Sequence, residues 1–155
     1  MVISKVLVPK YQFTEEELRK LSIEFKILVK NYLELSIYLD SNSNKNSEEI
    51  KNELRILKSI FYEVKFYIRE LLFILKILER RYKISIVDDI FVGARFTLYS
   101  YVTDYAYKSA FRSLIVQEQE IRTKINNNGL TNIECLKRIL EQIRRINSIL
   151  FEEDK

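Results

Sequence analysis

Residues 50–82, IKNELRILKSIFYEVKFYIRELLFILKILERRY, decide the fold. Ile50, Leu54, Leu57, Phe61, Val64, Ile68, Leu71, Leu75, Leu78 and Tyr82 advance by alternating steps of four and three. On an α-helix that rhythm holds every one of these side chains on a single stripe. An earlier segment repeats it, through Leu18, Leu21, Phe25, Leu28, Tyr32, Leu35 and Leu39. Further apolar residues flank both stripes: Ile23, Ile27, Leu33 and Ile37 on the first, Ile56, Ile60, Phe66, Phe73, Ile74 and Ile77 on the second. Faces that wide suit a helical bundle better than a two-stranded coiled coil.

Local signals divide the chain between these stripes. Thr14 with Glu17 forms a capping-box pattern, and Phe13 with Leu18 sits where a hydrophobic staple belongs, so the first helix is expected from Thr14 to about Leu39. The polar run from Asp40 to Asn46 is a loop, and Ser47 is placed to cap the second helix, which extends to about Tyr82. At 1.5 Å per residue that helix spans about 50 Å and outruns the first by about two turns. Asp88 is expected to cap a third helix running from Asp89 to about Asn126, with Gly93 near its start. Asn126-Asn127-Asn128-Gly129 stops it with a left-handed glycine. Thr131 and Glu134 then repeat the capping box for a fourth helix to about Phe151.

The expected architecture is therefore one all-α domain over residues 1–155, an antiparallel bundle of four main long helices. An extended N-terminal arm occupies residues 1–13 and a loose tail residues 152–155. Val2, Ile3, Val6, Leu7 and Val8 favour extended backbone, and Pro9 resists a helix before it. With no second strand evident, the arm is expected to lie along the bundle, the competing outcome being pairing with another chain.

The absences bear on function. The chain of 155 residues has no histidine, one cysteine and two glycines. That excludes Ser-His-Asp and Cys-His arrangements, HExxH and Glu-x-x-His metal patterns, and Gly-rich phosphate loops. Asp88-Asp89 is the one adjacent acidic pair near an apolar region, and it stands where a helix cap is required. Cys135, in the first turn of the last helix, reads as a packed and inert thiol. No catalytic residue, metal or cofactor is expected. The apolar run Leu71 to Leu75 is far short of the roughly 20 residues that span a bilayer, and Val2 to Val8 makes a poor signal peptide. A cytoplasmic protein is expected.

Charge is nearly balanced, 26 basic against 22 acidic residues, with both signs mixed along the chain. Three groups of cations are candidates for contact with a nucleic-acid backbone. Lys76, Arg80, Arg81 and Lys83 end the second helix; Lys137, Arg138, Arg144 and Arg145 lie on the last; Arg95, Lys108 and Arg112 stand among Tyr99, Tyr101, Tyr105 and Tyr107. Arginine forks suit phosphate, and tyrosine rings suit stacked bases. The competing reading is a solvated helix face with tyrosines packed in the core.

Leu54-Arg55, followed by Phe61-Tyr62-Glu63-Val64-Lys65, resembles a helix carried by the small all-helical subunits of type III CRISPR effector complexes, with the Leu-Arg pair here displaced by about one turn. The resemblance implies a non-catalytic filament subunit that docks other protein subunits and lines a guide–target duplex. The alternative is a stand-alone structural or regulatory helical oligomer, such as an archaeal viral coat or inhibitor protein, with no nucleic-acid role. Self-association belongs to that second reading.

Overall fold

The computed structural model describes residues 7–45, 47–87, 104–130 and 133–153. Four helices dominate: α1 (Glu15–Ser41), α2 (Glu48–Tyr82), α3 (Asp104–Asn128) and α4 (Glu134–Leu150). Two three-residue strands, β1 (Leu7–Pro9) and β2 (Phe151–Glu153), complete the described elements. The expected start of the third helix, with Asp88, Asp89, Gly93, Arg95, Tyr99 and Tyr101, lies outside the described residues, as do Val2, Ile3, Val6 and Thr131.

Helix boundaries follow local chemistry at most ends. The Thr14 hydroxyl accepts from the Glu17 amide at 3.1 Å, and the Glu17 carboxylate accepts from the Thr14 amide at 2.9 Å, closing the capping box of α1. Lys10 reaches the same carboxylate, tying the arm to the first turn. Gly129 adopts φ +65°, the left-handed conformation that ends α3. Ser47 holds the N-cap position of α2, but its hydroxyl makes no capping bond. At the other end of α2, Lys83 turns left-handed, and the Glu79 carboxylate accepts from the amides of Ile86 and Val87 at 2.8 and 2.9 Å. That carboxylate turns the connector back onto the core, where Ile86 and Val87 are buried. The last helix starts at Glu134, with Ile133 at its N-cap and no side-chain capping bond.

The core forms around α2. Leu57, Val64, Ile68, Leu71, Leu75 and Leu78, all on the heptad stripe, are fully buried. So is a second row, Ile60, Tyr67 and Ile74, spaced by seven residues. Two buried rows require cover from two sides. Tyr32 of α1 stacks on Phe61 with ring centroids 4.5 Å apart, and Phe13 meets Tyr82 edge-on at 6.5 Å. On the α3 side, Lys124 donates to Ser59 at 2.7 Å and Glu63 at 3.0 Å, while Arg81 lies over Tyr107. Against α1, α4 buries Leu136, Ile139, Ile143, Ile146 and Leu150, again in steps of three and four.

One polar chain crosses this apolar interior. The Tyr67 hydroxyl, fully buried, donates to Asn147 Oδ1 at 2.7 Å. Asn147 Nδ2 donates to Glu118 at 2.8 Å, and Arg122 donates to the other Glu118 oxygen at 2.6 Å. Burial, and then the Glu118 charge, push the Tyr67 phenol well above its usual range, so it stays a donor. The chain links α2, α4 and α3 at one height.

The termini depart from expectation. The arm has an internal partner, and the tail is not loose at its start. Leu7, Val8 and Pro9 pair antiparallel with Glu153, Glu152 and Phe151, and the Lys10 amide donates to Leu150 at 3.0 Å. Backbone groups make this ladder, so two adjacent glutamates join it without a strand-like side-chain pattern, and buried Phe151 anchors it. The apolar faces are also narrower than expected. Ile37 is 65% exposed, and Ile23, Ile27 and Phe66 are exposed too, because α1 and α2 are already covered on their buried rows.

Two variants test this frame. Tyr67→Phe strands the Asn147 acceptor in the interior and is expected to cost about 1–3 kcal/mol in urea unfolding. Glu17 is held below its ordinary value of 4.5, chiefly by Lys10 and then by the Thr14 amide. A depressed carboxylate contributes stability that is present above its unfolded pKa and is lost as pH falls through the folded one. Glu17→Gln keeps the capping acceptor but removes the charge facing Lys10, so it is expected to destabilise at neutral pH by about 0.2–1 kcal/mol, the scale of a part-exposed ion pair, and to match the wild type in acid below both pKa values. A penalty that persists unchanged in acid contradicts the assignment.

Candidate functional site

The arm, the end of α2, the first turns of α3 and the start of β2 enclose a cleft of about 310 Å³. Its apolar walls are Leu7, Pro9, Phe111, Ile115 and Phe151, with the Tyr107 ring beside them. Phe111 meets Tyr107 and Phe151 edge-on, at 5.0 and 5.4 Å, so the aromatic wall is one packed unit. Lys10, Arg81, Lys108 and Arg112 supply the charge, and no carboxylate stands among the described lining side chains. Tyr11 lines the mouth and is 85% exposed.

Secondary structure explains the convergence. The last turn of α2 lies level with the entry to α1, where Tyr82 meets Phe13, and presents Arg81 to the Tyr107 ring of α3. Lys108 and Arg112 are four residues apart, one above the other on the same face of α3. The β1–β2 ladder then carries Lys10 and Tyr11 across the mouth.

The Arg81 guanidinium lies 5.4 Å from the Tyr107 ring centroid, within cation–π range. Burial pushes the Tyr107 phenol up, and the Arg81 charge offsets part of that rise. The Tyr107 hydroxyl is itself buried; the Arg81 guanidinium interacts with it, and no described group meets it in strict hydrogen-bond geometry. Chemically the arrangement favours an anion with an apolar or aromatic body.

The expected basic groups are sorted differently in space than in sequence. Arg81, Lys108 and Arg112 come together in the cleft, and Lys10, absent from every expected group, joins them. Lys76 pairs with Glu79 at 3.3 Å on α2, and Arg80 and Lys83 are exposed outside the cleft. Arg95 lies outside the described residues. On α4, Arg138 stands 3.8 Å from Glu34, and Arg145 reaches Glu141 at 2.5 Å and Glu24 at 3.7 Å. Those two arginines fasten α4 to α1. Lys137 and Arg144 are exposed beside them. Lys10 carried no sequence signal, because only the ladder brings it near α3.

Elsewhere, among the described residues, no three His, Cys, Asp or Glu side chains gather in a metal-binding group, and no helix is long and apolar enough to cross a membrane. Burial, and then Glu34, push the Cys135 thiol up, away from the reactive thiolate. No family model matches this chain, and neither a curated protein nor a solved structure shows significant similarity to it.

Tyr107→Phe is expected to change urea stability by less than about 1 kcal/mol, since its hydroxyl meets Arg81 only outside strict hydrogen-bond geometry. A loss comparable to that of Tyr67→Phe shows that the hydroxyl has a structural partner in solution.

Proposed function

We propose that this protein is a non-catalytic helical subunit that holds a nucleic-acid backbone and docks other subunits of a larger cytoplasmic assembly. The observation that carries the reading is the convergence of Arg81, Lys108 and Arg112 on one cleft with no carboxylate in its described lining, Lys10 standing at its edge ion-paired with Glu17. Cations so placed neutralise phosphates and release counterions whatever the base sequence. The frame proposed for them is an antiparallel four-helix bundle with the N-terminal arm folded against it. The resemblance of residues 54–65 to small subunits of type III CRISPR effector complexes supports the same class of role. On that helix Tyr62 is 67% exposed, which suits contact with a neighbouring subunit.

A second reading, a self-associating structural or regulatory protein, is favoured by the exposed apolar residues Ile23, Ile27 and Ile37 on α1. Sedimentation across a wide concentration range separates the two. Self-association without nucleic-acid binding supports the second reading, and a strict monomer contradicts it.

The main reading predicts oligonucleotide binding that weakens steeply with added salt. Arg81→Glu combined with Arg112→Glu is expected to abolish it while leaving the circular dichroism unchanged, since both side chains are exposed. Lys137→Glu combined with Arg144→Glu, on α4, is expected to leave binding nearly unaffected. Salt-insensitive binding, or none by the wild type, contradicts the reading.

A further inference from the structure

We infer that the cleft seats a single nucleotide unit, its phosphate among Arg81, Lys108 and Arg112 and its base on the Tyr11 ring. This rests on the nucleic-acid reading and narrows it to unpaired nucleotides. Three observations carry it.

The first is size. A cleft of about 310 Å³ lies at the lower end of small-molecule sites, room for one base with its sugar phosphate and not for a duplex. The second is the mixture of chemistries. A duplex turns its bases inward and offers a protein surface mainly phosphates, for which a row of exposed cations suffices. Here the cations stand beside the part-exposed Leu7, Pro9, Tyr107 and Ile115, backed by buried Phe111 and Phe151, apolar surface that phosphate alone leaves unused. The third is Tyr11. An aromatic ring 85% exposed at the mouth of a cationic cleft has the position and freedom of a stacking platform. Single-stranded sites combine these same parts, a positive track for the backbone and aromatic rings for successive bases.

Nucleotide units come from two sources, a single strand or the free mononucleotide. The test is competition against a fluorescein-labelled single-stranded RNA of about ten nucleotides, within the range of single-strand site sizes, followed by anisotropy on the full chain. The competitors are the unlabelled strand, its duplex, adenosine monophosphate, uridine monophosphate and inorganic phosphate. The single strand is expected to compete about tenfold better than the duplex, the scale of one base–aromatic stack. Strong competition by a mononucleotide, with inorganic phosphate far weaker, identifies the free nucleotide as the source.

Tyr11→Ala is expected to weaken single-strand binding about tenfold without changing its salt slope, and Tyr11→Phe to restore it, because stacking needs the ring and not the hydroxyl. Arg112→Gln is expected to lower the salt slope by about one, as loss of one phosphate contact does. Tyr11 is exposed, so both of its variants keep the fold. Equal competition by duplex and single strand overturns the inference, as does a Tyr11→Ala protein that binds like the wild type, or inorganic phosphate competing as well as the mononucleotides. Salt-steep binding that prefers neither form leaves the nucleic-acid reading standing without it. No binding of any probe removes both.

Discussion

Everything in this molecule depends on α2 being buried along two rows at once. The heptad row from Leu54 to Leu78 and the second row of Ile60, Tyr67 and Ile74 leave α2 one outward face, carrying Lys51, Arg55, Lys58, Tyr62 and Arg69. One partner helix covers one row, so α3 is the principal cover and α1 closes the other side through Tyr32 and Phe13. Each buried side chain of this size contributes about 1.5–3 kcal/mol relative to exposure. The Tyr67–Asn147–Glu118–Arg122 chain then selects one register among those that apolar rows alone allow, because any slip leaves buried polar groups unpaired.

The cleft forms where the last turn of α2, level with the entry to α1, meets the arm and α3, and that turn carries Arg81 and Tyr82. Tyr82 receives the arm, its hydroxyl accepting from the Phe13 amide at 2.9 Å. Arg81 turns toward Tyr107. Lys10 stays within the cleft wall through its bond to Glu17, the residue that also caps α1. The capping box, the ladder and the cleft thus share residues.

Much of the helical frame was legible in the chain. Thr14 and Glu17 announced a helix start by chemistry confined to four residues, Gly129 announced a stop, and the heptad rows named the core of α1 and α2. What escaped needed distant residues to meet. Glu152 and Glu153 carry no strand signal, since their pairing with Leu7 and Val8 is made by backbone groups that every residue shares. Lys10 lies far in sequence from Arg112, and only the register of α2 against α3 and the ladder unites them. The basic residues of α4 looked equivalent to those of α2 because sequence spacing does not show that Arg138 and Arg145 face Glu34 and Glu24 of α1. Ile23, Ile27 and Ile37 matched a wide apolar face, yet periodicity reports where a side chain points and not whether a partner stands there.

The central claim is that the cleft, and no other surface, is where this protein meets nucleic acid. The most direct measurement is backbone amide chemical-shift mapping by nuclear magnetic resonance during titration with a short single-stranded RNA. The account predicts that the perturbed amides cluster at Lys10, Tyr11, Arg81, Tyr107, Lys108 and Arg112, with Lys137 and Arg144 on α4 unmoved. Perturbations centred on α4, or none at saturating RNA, would contradict it.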